Sequence, residues 1–259
     1  MTRRCSRWTA LLPVIPLILA STAPLTAQDE APPATHLYEA YYKVNYVDLA
    51  EWTRQFQAYS VPVLEALRDE GIIEGWGHWQ HNVGSEYNVR FGVRTYDWAS
   101  VGRFWDLYLE RLLEATPADE VDALFRMVEA HEDEIWTIGP TRWAETDRPT
   151  SQMYASTFQV NFADEAEWDR IWNETILPIL GEAIDAGFLN GVVLLGHHSG
   201  GAHNKKVLYL FEEWDHIDDM WSHFFARMEE DHPDAMSSVL SMVLAHDDVI
   251  WSAAPSANQ

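Results

Sequence analysis

His131 and His246 are the residues best placed to do chemistry, because each recurs in the same company. His131, Asp133, Ile135 and Trp136 match His246, Asp248, Ile250 and Trp251 in type and spacing. The stretch Ala118–Trp136 reads as a helix with an apolar face of Val121, Leu124, Phe125, Val128 and Ile135, and His131 falls on that face. In the second copy Met236, Val239, Val243 and Ile250 form the face, again with His246 inside it. Such an imidazole is either a core side chain bonded to a backbone carbonyl or a tyrosine hydroxyl, or a pocket base, metal ligand or axial haem ligand. On a helix, Asp133 and Asp248 stand two residues on and point elsewhere, so they are not obvious partners for the imidazoles.

His81 and His197 form a second matched pair, each at the end of a predicted strand beside a polar turn. The second copy adds His198 and His203, so three histidines fall within His197-His198-Ser199-Gly200-Gly201-Ala202-His203. That set suits zinc, copper or nickel, although imidazoles in a polar turn are as readily just solvated, and no HExxH spacing supports a metal. Arg90 and Arg94 alternate with Phe91 and Val93, and Lys206 matches Arg90. Facing inward, these cations would orient an anionic group or a quinone-like oxygen; facing outward, they would be ordinary strand charges. Trp79 joins the ligand-binding candidates, since the first copy has Trp76, His78 and Trp79 where the second has Val192, Leu194 and Leu195. A working pocket is therefore expected in one copy only. The paired tryptophans Trp52, Trp105 and Trp136, with Trp168, Trp221 and Trp251, read as core, and Asn45 and Asn161 read as turn formers.

Several classes are excluded. There is no GxSxG and no phosphate-binding glycine loop. Acidic runs such as Glu132-Asp133-Glu134 read as solvated helix faces. Cys5 is the only cysteine. It lies in a segment expected to be removed, which leaves no thiol nucleophile and no disulfide.

The elements that must position these residues come as a tandem repeat. At a shift of 116 residues Tyr38 meets Tyr154, Trp52 meets Trp168, Pro62 meets Pro178, Gly71 meets Gly187, Asn88 meets Asn204 and Trp105 meets Trp221. Each copy reads strand, helix, strand, strand, helix, with a short closing strand after Trp136 as an option. Pro62 and Pro178 should divide the first helix, and Gly71 and Gly187 should end it. Residues 1–27 have the layout of a signal peptide: Arg3, Arg4 and Arg7, the apolar run Leu11–Ala20, and small residues up to Ala27. The organisation expected is signal peptide 1–27, disordered segment 28–36, repeat 37–140, connector 141–152, repeat 153–255 and tail 256–259. The mature protein is expected to be exported, periplasmic or extracellular. A net charge of −24 argues against nucleic acid and anionic membranes as partners, and no apolar run is long enough to span a bilayer.

In this order of elements, with a proline inside the first helix and a glycine before the second strand of each copy, the chain resembles the dimeric α+β barrel (ferredoxin-like) superfamily in a fused two-copy form, of NIPSNAP, EthD or antibiotic-monooxygenase type. The resemblance implies an α+β fold in which two ferredoxin-like repeats form an intramolecular barrel, with a pocket between the sheet and helices of a unit. It implies cofactor-independent monooxygenases, chlorite-dismutase-like haem proteins or dye-decolourising peroxidases as relatives. Three functions follow as expectations. The first is an exported small-molecule-binding protein acting as a cofactor-independent oxidoreductase, the second a non-catalytic interaction protein, and the third a haem or metal protein. A monomer or a homodimer is expected, because the two copies can pair internally.

Overall fold

The computed structural model describes residues 33–145 and 148–254. The signal-peptide expectation and the tail lie outside the described residues.

In the first repeat β1 (His36–Val44) leads to α1 (Leu49–Gln55), which runs through a π-helical turn (Phe56–Ser60) into α2 (Val61–Asp69). Pro62 is the cause of the turn. It has no N–H to give to the carbonyl of Ala58, and its ring crowds the turn before it. The helix takes up an extra residue, and the Val61 N–H reaches back five positions to the Phe56 carbonyl. The same bond, Leu177 N–H to Trp172 O, precedes Pro178. Gly71 then closes α2 at φ +70°. The Ile72 N–H meets the Leu67 carbonyl at 2.9 Å there, a left-handed cap that favours glycine.

β2 (Gly75–Val83), β3 (Val89–Thr95), α3 (Trp98–Ala115), α4 (Ala118–Arg126) and β4 (Val128–Trp143) complete the first repeat. The second repeats the plan with β5 (Gln152–Val160), α5 (Glu165–Ile171), a π turn (Trp172–Ile176), α6 (Leu177–Asp185), β6 (Gly191–Ser199), β7 (Lys205–Phe211), α7 (Asp215–Asp231), α8 (Pro233–Met242) and β8 (Val243–Ala253). The eight strands close into a barrel in the order β1-β3-β2-β8-β5-β7-β6-β4.

Two expectations are corrected. The helix foreseen over Ala118–Trp136 ends at Arg126, and the segment after it is the 16-residue strand β4. Sheet pairing overrides the helical spacing, because β1 and β6 each have an open edge that β4 fills. β4 lies along β1 from His36 to Val44 and along β6 from Gly191 to Ser199. β8 does the same for β5 and β2. β4 therefore runs into residues read as connector, and β1 starts at His36, inside the segment read as disordered.

Strand alternation sorts the side chains into three cores. Tyr38, Ala40, Phe91 and Val93 pack under the helices of the first repeat with Trp52, Phe56, Leu64 and Phe104. Val192, Val207 and Tyr209 do so in the second, with Trp168, Trp172, Leu180 and Phe224. The barrel lumen holds Leu37, Trp79, Trp136, Met153, Leu195, Leu208 and Trp251. Register in β1 is pinned at a bulge by Asn88, whose Oδ1 accepts from Val44 N–H at 2.8 Å while its Nδ2 donates to Val44 O at 2.6 Å. Asn204 holds Val160 in the same way at 2.7 and 2.8 Å.

Candidate functional site

The strand geometry of β4 changes the reading of its histidine. Residues two apart share a face of a strand, so Asp133 lies beside His131, with Nε2 and Oδ1 2.9 Å apart. The expectation that Asp133 points elsewhere rested on a helix and is corrected with it. An ionised carboxylate only accepts, so it selects the tautomer with a proton on Nε2 and leaves Nδ1 as the basic nitrogen. The Tyr38 hydroxyl donates to the same Asp133 oxygen. Burial above all, then the neighbouring Tyr42 and Asp133, hold Tyr38 well above the usual phenol range, so it stays a donor. The imidazole stacks on Tyr42 with centroids 5.3 Å apart. The second repeat builds the same unit from His246 Nε2 and Asp248 at 2.7 Å, with Ser156 Oγ donating to Asp248 at 2.6 Å and Phe158 under the ring. Both imidazoles are about half exposed.

What differs is the space beside them. Between the sheet and helices of the first repeat lies a cavity of about 430 Å³ with His131 and Asp133 among its lining. Tyr42 and Phe91 form its floor, Trp52, Phe56, Trp105 and Tyr108 line it further, and Leu109, Leu124 and Phe125 complete the helix side. Leu109 and Phe125 are largely exposed and mark the mouth. Ser60 is a polar group in this wall, and its Oγ accepts from the Tyr108 hydroxyl at 3.0 Å. Burial pushes the Tyr108 hydroxyl up to about 12. In the second repeat Trp172, Ile176 and Met228 stand where the first has Phe56, Ser60 and Leu112, and all three are buried in the core.

His78 lies behind this wall. Its ring centroid is 4.3 Å from that of Phe56 and 5.4 Å from that of Trp52. It is fully buried, and neither ring nitrogen has a hydrogen-bond partner among the described residues. Burial holds its pKa down to about 3, so the ring is neutral near pH 7. Trp76 packs with this helix-side core, whereas Trp79 on the same strand faces the lumen.

The remaining candidates separate. Trp79, Arg90 and Arg94 line a cavity at one end of the lumen. Arg90 and Lys206 do face inward, but they meet carboxylates: both reach Glu39, and Lys206 also reaches Glu134. Burial lowers Arg90 to about 9 and Lys206 to about 8. Burial opposes the charge on Glu134, but Lys206, Trp136 and Tyr41 together hold that carboxyl below its usual range. Glu39 and Glu134 were missed in sequence. Glu134 sat in an acidic run, and the one signal for Glu39 was a lone acid in a tyrosine-rich strand. His81 and His197 fix their turns: Ser85 N–H donates to His81 Nε2 at 3.1 Å, and His197 Nε2 donates to Gly200 O at 2.7 Å. His198 stacks on Trp98, and His203 pairs with Asp247 at 3.1 Å. The three histidines of that hairpin thus have separate partners, and no metal-ligating group of three or more converges among the described residues.

Haem does not fit the residues present. The candidate axial ligands His131 and His246 are strand residues whose Nε2 atoms are engaged by carboxylates. Among the described residues no lysine or arginine lines the cavity beside His131 to receive propionates.

No family model matches the chain, and no curated protein matches it in sequence. Solved structures do match. A candidate monooxygenase from Fusobacterium nucleatum superposes with a TM-score of 0.58 at 12% identity, over 85% of this chain and 93% of that one. Another from Lactobacillus acidophilus gives 0.55 at 10% identity, over 87% and 98%. An anthrone oxidase-like protein gives 0.54 at 8% identity, over 86% and 92%. At these identities the likeness is one of fold. The chain has the dimeric α+β barrel fold, with both halves in one polypeptide. Among the described residues no helix is long and apolar enough to cross a membrane.

Proposed function

We propose that this chain is an exported small-molecule-binding oxidoreductase that needs no cofactor and takes a flat aromatic substrate into the cavity of its first repeat. The observation that carries the reading is the aromatic-lined space of about 430 Å³ with a carboxylate-oriented imidazole in its wall. The second repeat keeps the imidazole and carboxylate but fills the space, which assigns the work to His131. Neighbours of the same fold described as monooxygenases and as anthrone oxidase-like support the class of reaction.

In this reading a substrate with an acidic CH2 between aromatic rings gives a proton to His131 Nδ1. Asp133 stabilises the imidazolium that forms, and Tyr38 holds Asp133 in place. The resulting carbanion is electron-rich enough to reduce dioxygen. One oxygen atom ends in the product carbonyl, replacing both hydrogens of the CH2. The other leaves as water, with the proton returned by the imidazolium.

Anthrone is the probe we would use, with oxygen uptake and quinone formation as readouts. His131→Ala is expected to slow turnover by about 10²–10⁴-fold, the usual contribution of a general base, with binding retained. Turnover at the wild-type rate would sink the assignment. A second variant tests the place. Ser60→Ile installs the residue of the second repeat, and it is expected to weaken anthrone binding by about tenfold or more by filling the cavity, while the lost partner of the Tyr108 hydroxyl costs about 1–3 kcal/mol of stability. Unchanged affinity would move the site elsewhere.

A further inference from the structure

We infer that the barrel lumen holds a second ligand site, distinct from the helix-side cavity, that takes a compact apolar molecule carrying one neutral carbonyl oxygen. The site is a cavity of about 210 Å³ bounded by Leu37, Trp79, Arg90, Met153, Leu208 and Leu210.

Two observations carry the proposal. The first is an unanswered donor. Arg90 is 3% exposed and lines this cavity. Its Nη2 donates to Glu39, but among the described residues its Nη1 meets only the Met153 sulfur, at 2.7 Å, and its Nε has no partner. A thioether is a weak acceptor, so a fully buried guanidinium is left with one oxygen partner where it could use several. A carbonyl oxygen in the cavity would supply the acceptor. The second observation is that the space is built asymmetrically. Gly77 and Gly92 of the first repeat line the cavity opposite Val193 and Leu208, which are their counterparts in the second repeat. Had the first repeat kept those side chains, four apolar groups would meet in the lumen and fill it.

Charge decides the class of ligand. Two cations, Arg90 and Lys206, already share two carboxylates, Glu39 and Glu134, and the third cation of the lining, the half-exposed Arg94, pairs with Glu74 at 2.7 Å. The lumen is balanced, so an anion would bring an unpaired charge into a buried space within a protein of net charge −24. A neutral oxygen gains the hydrogen bond from a charged donor without that cost.

The site stands apart from the oxidoreductase reading, since it uses the other face of the sheet. The test is a 19F NMR titration of the mature protein with 4-fluoroacetophenone, 4-fluoroethylbenzene and 4-fluorobenzoate. The ketone is expected to bind at one site, about tenfold or more tighter than the hydrocarbon, which matches one hydrogen bond to a charged group. Gly92→Leu is expected to abolish that binding, while Ser60→Ile leaves it unchanged. Should Gly92→Leu fail to fold, Gly92→Ala serves instead. Its added Cβ would lie 3.6 Å from Leu37 Cδ1, an ordinary contact, and a two- to threefold loss is the expected reading. Equal affinity for ketone and hydrocarbon, tighter binding of the benzoate, or loss of binding in Ser60→Ile alone would each overturn the proposal.

Discussion

Replacing Glu39 by alanine is expected to cost about 3–5 kcal/mol, a large share of the stability of an ordinary domain. Glu39 is wholly buried, and three donors converge on it: Arg90 Nη2, Lys206 Nζ at 2.6 Å and Tyr41 Oη at 2.7 Å. Removing it leaves two buried cations against the single carboxylate of Glu134. Burial already disfavours both cations, as their lowered pKa values show, so neither tolerates the loss of a counter-ion. Urea unfolding at neutral pH would measure the effect, and a change under about 1 kcal/mol would mean that water reaches the lumen and screens the charges. A companion variant with Glu39, Arg90, Glu134 and Lys206 all replaced by apolar residues of similar size should recover most of the lost stability. A buried network is costly chiefly when half of it remains.

His78→Leu should act in the opposite direction and make the protein more stable, most of all in acid. Leucine is what the second repeat carries at this place, as Leu194. At neutral pH the gain is expected to be about 1–3 kcal/mol, the cost of burying a polar group without a partner. The acid effect follows from linkage. The folded chain holds His78 near 3, while the unfolded chain titrates at the ordinary 6.5. Between those values the unfolded state binds a proton that the folded state refuses, so stability falls as pH drops from about 6.5 towards 3. At about 1.4 kcal/mol per unit, the wild type loses roughly 3 kcal/mol between neutrality and pH 4 through this ring alone. The variant should lack that loss. Parallel unfolding curves at pH 7 and pH 4 decide the matter. If both proteins show the same acid slope, His78 has a partner or solvent access after all.

The interior histidine and the interior carboxylate have a common lesson in legibility. The repeat is visible because residues with strict local duties recur: Pro62 and Pro178 before which each helix takes its π turn, Gly71 and Gly187 at left-handed caps, Asn88 and Asn204 across the β1 and β5 bulges. Each of these duties is discharged within one unit, so the sequence carries it openly. The division of the first helix at Pro62 and Pro178 and its end at Gly71 and Gly187 are readable for that reason.

The site was readable only in part. Recurrence singles out His131, but helical spacing over Ala118–Trp136 turns Asp133 away from it. A run such as Val128–Trp143 has apolar residues that fit a helix face nearly as well as a strand, and short-range spacing does not separate the two. What separates them is the open edges of β1 and β6, which lie far away in sequence. For Arg90 and Lys206 the sequence leaves both the inward and the outward face open, and only the fold turns them inward, against Glu39 and Glu134. Lys206 and Glu39 are 167 residues apart, and no local pattern links them.

By itself, then, the sequence determined the tandem duplication, the order and caps of most elements, and the strongly acidic composition. Those properties are set by neighbours a few residues away and by composition. Tertiary structure alone decided that the last segment of each repeat is a strand, that His131 and Asp133 form a hydrogen-bonded pair, and that Arg90 and Lys206 meet Glu39 and Glu134 in the lumen. It also decided which repeat keeps an open cavity. These depend on barrel closure, which pairs the two repeats along β2 with β8 and β4 with β6 and gives each strand residue its face. A side chain's chemistry follows from the face it is given, and that is settled only when the ring of strands is complete.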